Sequence, residues 1–282
     1  MNLLKLQPSQ RRSEGGRIHL GLPTWESALL RGTLYDYGCP IDAFLFHYAS
    51  QFDAVEMAST FSDLPYASDM KKLKALVAEV NENFRFCPII PRRVSHEFPL
   101  GENDHDMREF LAAVGMLGVH LGPIVLRLPE TLRPENWQSV LRFARRCPKE
   151  KRFVVHLTHT DWFKKTECLF LLAAALKETT MNILVEDDFL RELPLKKIIG
   201  GDHLMIRFRG RQNLNQDDQR LAMWVYRLGE YKAFGIKNSY FFLNEQEERC
   251  LAILRRMAIT IGGDIRLPEK FDENADQMRF QF

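Results

Sequence analysis

The chain has 282 residues, enough for one large or two small compact domains. Hydrophobic residues make up 45% and charged residues 27%, which excludes intrinsic disorder and collagen-like repeats. With 39 basic against 37 acidic side chains the formal charge is +2, so the electrostatic footprint of a dedicated nucleic-acid binder is missing.

Residues Met1 to Pro8 hold no sustained apolar core, and Arg11-Arg12 follow in place of a small-residue cleavage site, which argues against a secretory signal. The apolar run Leu169–Leu176 is far shorter than the ~20 residues needed to cross a bilayer. The five cysteines stand singly at 39, 87, 147, 168 and 250, with no Cys-x-x-Cys pair, so neither a disulfide framework nor a zinc ribbon is suggested. The expectation is a reduced, cytoplasmic protein with no membrane and no nucleic-acid partner.

Eight short apolar runs rich in β-branched and aromatic residues are expected as strands. In chain order they are Arg17–Gly21, Ala54–Ala58, Phe84–Ile90, Pro123–Leu128, Phe153–Thr158, Ile183–Glu186, Leu204–Phe208 and Tyr240–Leu243. Their lack of strict alternation suits parallel strands buried on both faces. Between them fall stretches with helical periodicity: Asp69–Val80, Asp106–Leu117, the segment opened by Pro134, Thr166–Lys177, Asp217–Leu228 and Gln246–Met257. The sixth unit is the weakest, because Pro194 interrupts whatever helix follows Glu186.

Strand then helix, repeated eight times over roughly the ~250 residues usual for the type, reads as an α/β fold, a single TIM-type (β/α)8 barrel. A doubly wound sheet would want Gly-x-Gly-x-x-Gly after an early strand, and that is absent. One barrel domain over residues 17–263 is expected, with a flexible leader, 1–16, and a C-terminal tail, 264–282.

Barrel chemistry sits where the strands end and the following loops begin. That rule selects Trp25; Glu56, Ser59 and Thr60; Arg92 and His96; Arg127; His156, Thr158, His159 and Trp162; Glu186, Asp187 and Asp188; Arg207 and Arg209; and Asn244. Glu56 is the sharpest signal, since a carboxylate in an apolar strand is costly unless paired, and arginines from other strands are its natural partners. Catalytic roles are expected for Glu56 as general acid/base, assisted by His96 or His156. The ligand is expected to be a small anion held by Arg92, Arg127, Arg207 and Arg209, with the remaining side chains as further contacts. Trp25 and Trp162 are read as exposed aromatics that stack on a ligand or form a lid. Asp187 and Asp188 read as a helix N-terminal signature. Phe44, Phe46, Phe241 and Phe242 are read as core, and Cys87 and Cys168 as buried inert thiols.

No cofactor and no metal is assigned. His96, His156 and His159 with Glu56 and Glu186 are ligand types for zinc or manganese, but no local His-x-x-x-His pair supports more than composition. The absence of Gly-x-Ser-x-Gly argues against a serine hydrolase. A barrel that has lost catalysis and serves as a binding or assembly module, and a metal-dependent hydrolase or isomerase, remain the alternatives.

From about Ile18 to Arg255 the sequence resembles the YecE-like family (domain of unknown function 72). The resemblance rests on Gly21-Leu22-Pro23-Thr24-Trp25, Arg31-Gly32-Thr33-Leu34-Tyr35 and Val55-Glu56-Met57-Ala58-Ser59-Thr60-Phe61 with Leu64-Pro65. It extends through Pro91-Arg92-Arg93-Val94-Ser95-His96, Leu121-Gly122-Pro123, Leu128-Pro129, and His159 with Trp162. It implies a TIM-barrel-type structure and no settled reaction. Relatives are expected to carry lysine near Ile89, glutamate and arginine at His156 and Thr158, histidine at Arg209 and asparagine at Glu245, so part of the polar rim has been rewritten.

Overall fold

The computed structural model describes residues 16–97, 100, 102–164, 166–190, 193–210 and 214–243. The expected helix Gln246–Met257, the tail, Asn244 and nearly all of the leader lie outside the described residues.

All the expected strand positions carry strands: β1 (Arg17–Leu22), β2 (Ala54–Met57), β3 (Arg85–Pro88), β4 (Ile124–Arg127), β5 (Phe153–His156), β6 (Met181–Ile183), β7 (Val185–Glu186), β8 (His203–Phe208) and β9 (Asn238–Leu243). Every pairing is parallel, giving an α/β fold. The ladders form a six-stranded sheet, β3-β2-β1-β9-β8-β7, and a three-stranded sheet, β4-β5-β6. The sheets meet at two seams. At one, Gly122 N–H donates to Phe86 O (2.7 Å) and Ile90 N–H to Val125 O (2.8 Å). At the other, Leu184, the single residue between β6 and β7, donates its N–H to Val155 O (2.9 Å).

The helices are α1 (Phe44–Ala49), α2 (Ser59–Ser62), α3 (Ala67–Val80), α4 (Arg92–Ser95), α5 (Asp104–Gly115), α6 (Trp137–Arg146), α7 (Asp161–Lys164), α8 (Thr166–Leu176), α9 (Asp187–Leu190), α10 (Leu195–Ile198) and α11 (Leu214–Ala233). In α3, Met70, Leu73 and Val77 fall at helical spacing and turn inward. Asn81 ends that helix, and its amide donates to Ala49 O, Phe52 O and Asp53 Oδ1, pinning α3 to the turn before β2. Asn103 opens α5 by accepting from Asp106 N–H. Pro194 does split the sixth unit, leaving the short α9 and α10 in place of one helix.

The packing has two layers. A large apolar cluster joins strand residues such as Val55, Phe86, Leu126, Val155, Ile206 and Phe241 to the helices. The alternate strand residues Ala54, Cys87, Val125, Val154, Leu184, Met205 and Phe242 form a second, smaller cluster drawn from both sheets. Period-two alternation places Glu56, Arg127, His156, Glu186 and Arg207 on this second face, at the carboxyl ends of their strands. Phe44, Phe241 and Phe242 are fully buried as expected, but Phe46 is exposed, because α1 turns only one face to the core. Cys87 is buried, whereas Cys168 is only half-buried on α8.

Candidate functional site

Four side chains from four strands make one network. Glu56 of β2 receives two hydrogen bonds from Arg207 of β8, Nε to Oε1 at 2.8 Å and Nη2 to Oε2 at 2.6 Å. The third guanidinium nitrogen, Nη1, stands 3.0 Å from Nδ1 of His156 on β5. The far side of that imidazole, Nε2, lies 2.8 Å from Oε1 of Glu186 on β7.

This geometry fixes the proton on His156. A guanidinium can only donate, so Nδ1 must accept, and Nε2 then carries the hydrogen given to Glu186. Burial, the neighbouring Arg207 charge and this tautomer agree: the His156 pKa is lowered, burial being the largest cause. Burial alone would raise the Glu186 carboxyl, but the His156 hydrogen bond and the charges of Arg207 and Arg209 outweigh it and hold it below the usual range. Glu56 is 3% exposed, so its oxygens are spent on Arg207 and not on solvent. Such bidentate pairing is the arrangement that makes a buried carboxylate tolerable.

Around this network the rim is basic. Arg92, Arg127 and Arg209 are exposed, and among the described residues none of the three makes an ion pair with a carboxylate. Arg127 lies over the Phe61 ring at 5.3 Å, and Phe61 meets His96 edge-on at 5.2 Å. Burial together with Arg92 and Arg127 lowers the His96 pKa. Its Nδ1 is 2.9 Å from the Ser95 hydroxyl, beside a hollow of ≈ 70 Å³ bounded by Leu100, Pro129 and Leu132.

Other expected contacts are engaged elsewhere. Trp25 and Trp162, expected to be exposed, are buried: Trp25 packs edge-on against Phe86, and the Trp162 indole donates to Leu132 O at 3.2 Å. Their apolar bulk is worth more in the helix–strand layer than in water. The Thr60 hydroxyl accepts from Ile89 N–H at 2.9 Å and faces the carbonyls of Met57 and Ile89, tying the ends of β2 and β3 together. Thr158 donates to Leu128 O, and His159 Nδ1 accepts from Asp161 N–H at the start of α7. Ser59 is exposed in the first turn of α2.

Asp187 is more than a helix-start signature. Its carboxylate is buried and receives Trp224 Nε1–H at 2.6 Å and Arg220 Nε–H at 2.8 Å. Sequence reasoning missed Arg220, although its spacing from Asp217 and Trp224 on an apolar helix face was a readable sign of a buried arginine.

The metal reading finds no support in this network, where the Arg207 guanidinium stands between Glu56 and His156. Among the described residues, the group of ligand-type side chains within reach of one another is His105, Asp106 and Glu109 on α5. There Asp106 is already held by Arg93 at 3.2 Å and by Asn103. No described helix is long and apolar enough to cross a membrane.

Comparison with known proteins agrees with this architecture. The chain is 24% identical over 273 residues to the UPF0759 protein YecE of Escherichia coli, covering 89% of this chain and 94% of the relative. A crystal structure of a DUF72 family protein from Enterococcus faecalis superposes with TM-score 0.67 at 16% identity, covering 90% of this chain and all of that one. A DUF72 family protein from Thermotoga maritima gives 0.58 at 16% identity, covering 81% and 92%. D-psicose 3-epimerase gives 0.55 at 7% identity, covering 87% and 100%, a likeness of fold alone. The family described as "Protein of unknown function DUF72" matches residues 19–273, and the chain belongs to that family.

Proposed function

We propose that the two sheets act as one closed (β/α)8 barrel, with β6 and β7 serving as a single strand interrupted at Leu184. The strand carboxyl ends then form a mouth that binds a small anionic ligand, phosphate- or carboxylate-bearing. The observation that carries this reading is the set of rim guanidiniums, Arg92, Arg127 and Arg209, without carboxylate partners among the described residues, set around an internally satisfied Glu56–Arg207 pair. With Glu56 paired to Arg207, the three rim arginines outnumber the one remaining carboxylate, Glu186, and that net positive charge attracts an anion.

Acid/base chemistry fits this mouth in a particular way. Both Glu56 oxygens face Arg207, so Glu56 exchanges a proton only after that pair opens. The proton already placed between His156 and Glu186 is closer to use. The completeness of the Glu56–Arg207 pair also favours a second reading, a barrel that binds and does not catalyse.

Calorimetric titration with inorganic phosphate at low ionic strength tests the binding claim. Binding is expected, weakened at least about tenfold by Arg209→Ala or Arg127→Ala and by added salt. The absence of both a heat of binding and a thermal shift with phosphate or a small dicarboxylate would overturn it.

A further inference from the structure

Arg220 of α11 sends its donors to several places at once. Nε bonds Asp187 Oδ2 at 2.8 Å, Nη1 bonds Asp217 Oδ1 at 2.8 Å, and Nη2 donates to the backbone carbonyl of Arg209 at 2.8 Å while also meeting Asp187. Asp188 Oδ1 lies at 3.4 Å, and the guanidinium stacks 4.4 Å above the Phe208 ring. Asp187 follows Glu186 directly in the chain, and Arg209 is the rim residue beyond β8. One guanidinium therefore joins the two strand ends that bear Glu186 and Arg209. Arg220 and Asp187 are buried, so neither reaches a ligand at the mouth. A buried guanidinium must satisfy five N–H donors, and here the acceptors chosen lie on the segments that follow two different strands, so the pairing ties those strand ends together.

We propose that Asp187 and Arg220, braced by Trp224, are positioning residues that set Glu186 and Arg209 at the mouth, so that α11 governs anion affinity without touching the anion. This rests on the anion-binding reading above. The planar fork is required, because a lysine ammonium is a single charge that cannot hold two carboxylates and a carbonyl in fixed directions. Glu186 in turn fixes the hydrogen bond from His156 Nε2, so displacement of Glu186 registers on that imidazole.

The diagnostic variant is Arg220→Lys, which keeps a positive charge beside Asp187 and Asp217 and loses the reach to Arg209. Leu228→Ala, in the same helix and outside the network, is the control for loosened packing. Two readouts are taken: phosphate affinity by calorimetry, and the imidazole nitrogen signals of His156 by NMR without ligand. R220K is expected to weaken phosphate about tenfold and to move the His156 signals, the scale of loss that follows from misplacing a supporting group. L228A is expected to lower the unfolding temperature and leave both readouts in place. Equal effects of the two variants, or no effect of R220K on His156, overturn the proposal. A wild type that binds no phosphate removes the anion-binding reading instead, while the ligand-free His156 signals still decide the positioning role. Trp224→Phe, which takes one donor from Asp187 and leaves every ion pair, gives a smaller shift of the same signals and keeps the test decisive if R220K does not fold.

Discussion

Arg207 grips Glu56 through two near-parallel hydrogen bonds, at 2.8 and 2.6 Å, across 151 positions of sequence. Strands β2 and β8 are separated in the sheet by β1 and β9, so this pair links non-adjacent strands and does not run along a ladder. Removing one partner leaves a buried charge alone. Glu56→Gln or Arg207→Met is expected to cost about 3–5 kcal/mol each, while the double variant costs clearly less than their sum. Urea unfolding of the four proteins measures this, and additive losses would show that the pair is not coupled.

Acid stability follows from buried histidines. His19 is fully buried, and burial, the largest effect, pushes its pKa from 6.5 down to about 4 against the hydrogen bond to Asn238. The unfolded chain takes up this proton near pH 6.5, the folded protein only near 4. Stability from this group is therefore complete above about pH 6.5 and is lost as pH falls toward 4, by roughly 3 kcal/mol. His156 is shifted the same way and adds to the same slope. His19→Phe keeps a ring stacked on Tyr240 and is expected to flatten the fall in urea midpoint between pH 6.5 and 4; an unchanged slope would contradict this assignment.

The Thr60 hydroxyl separates structural from ligand contacts. Thr60→Val leaves the buried Ile89 N–H without its acceptor and is expected to cost about 1–3 kcal/mol, whereas Thr60→Ser stays much nearer wild type. Thermal unfolding distinguishes them, and equal losses would mean that the methyl group matters as much as the oxygen and would contradict this assignment.

Gly21 is set by close approach. A Cβ there would stand 2.1 Å from Ala54 O and 2.7 Å from the Phe242 ring, both inside the strand layer. Gly21→Ala is expected to destabilise by more than about 3 kcal/mol or to prevent folding, since backbone cannot yield as a side-chain tip can. A soluble variant with wild-type unfolding temperature would contradict it.

The strand positions were legible because β-branched and aromatic runs recur with turns between them, and residues such as Val55, Val125 and Val154 advertise two-sided burial. The placing of Glu56, His156 and Glu186 at strand carboxyl ends was legible, but which faces of different strands coincide was not, because alternation orders side chains only within one strand. Which arginine meets Glu56 was not: Arg127, Arg207 and Arg209 all stand at strand ends, and only the register of β8 turns Arg207 inward while Arg209 lies beyond the strand. The burial of Trp25 and Trp162 was hidden for a related reason, because a loop residue's direction depends on what packs beneath it. The burial of Arg220 could be read from its spacing on α11, but its bond to Asp187 spans 33 positions, a distance over which local periodicity carries no signal.

The most direct test is an anomalous diffraction map from crystals soaked in tungstate, a heavy tetrahedral oxyanion. A peak is expected at the strand carboxyl ends within hydrogen-bond reach of Arg127 or Arg209, above an intact Glu56–Arg207 pair. Peaks confined to the outer helices, with the mouth empty, would contradict it.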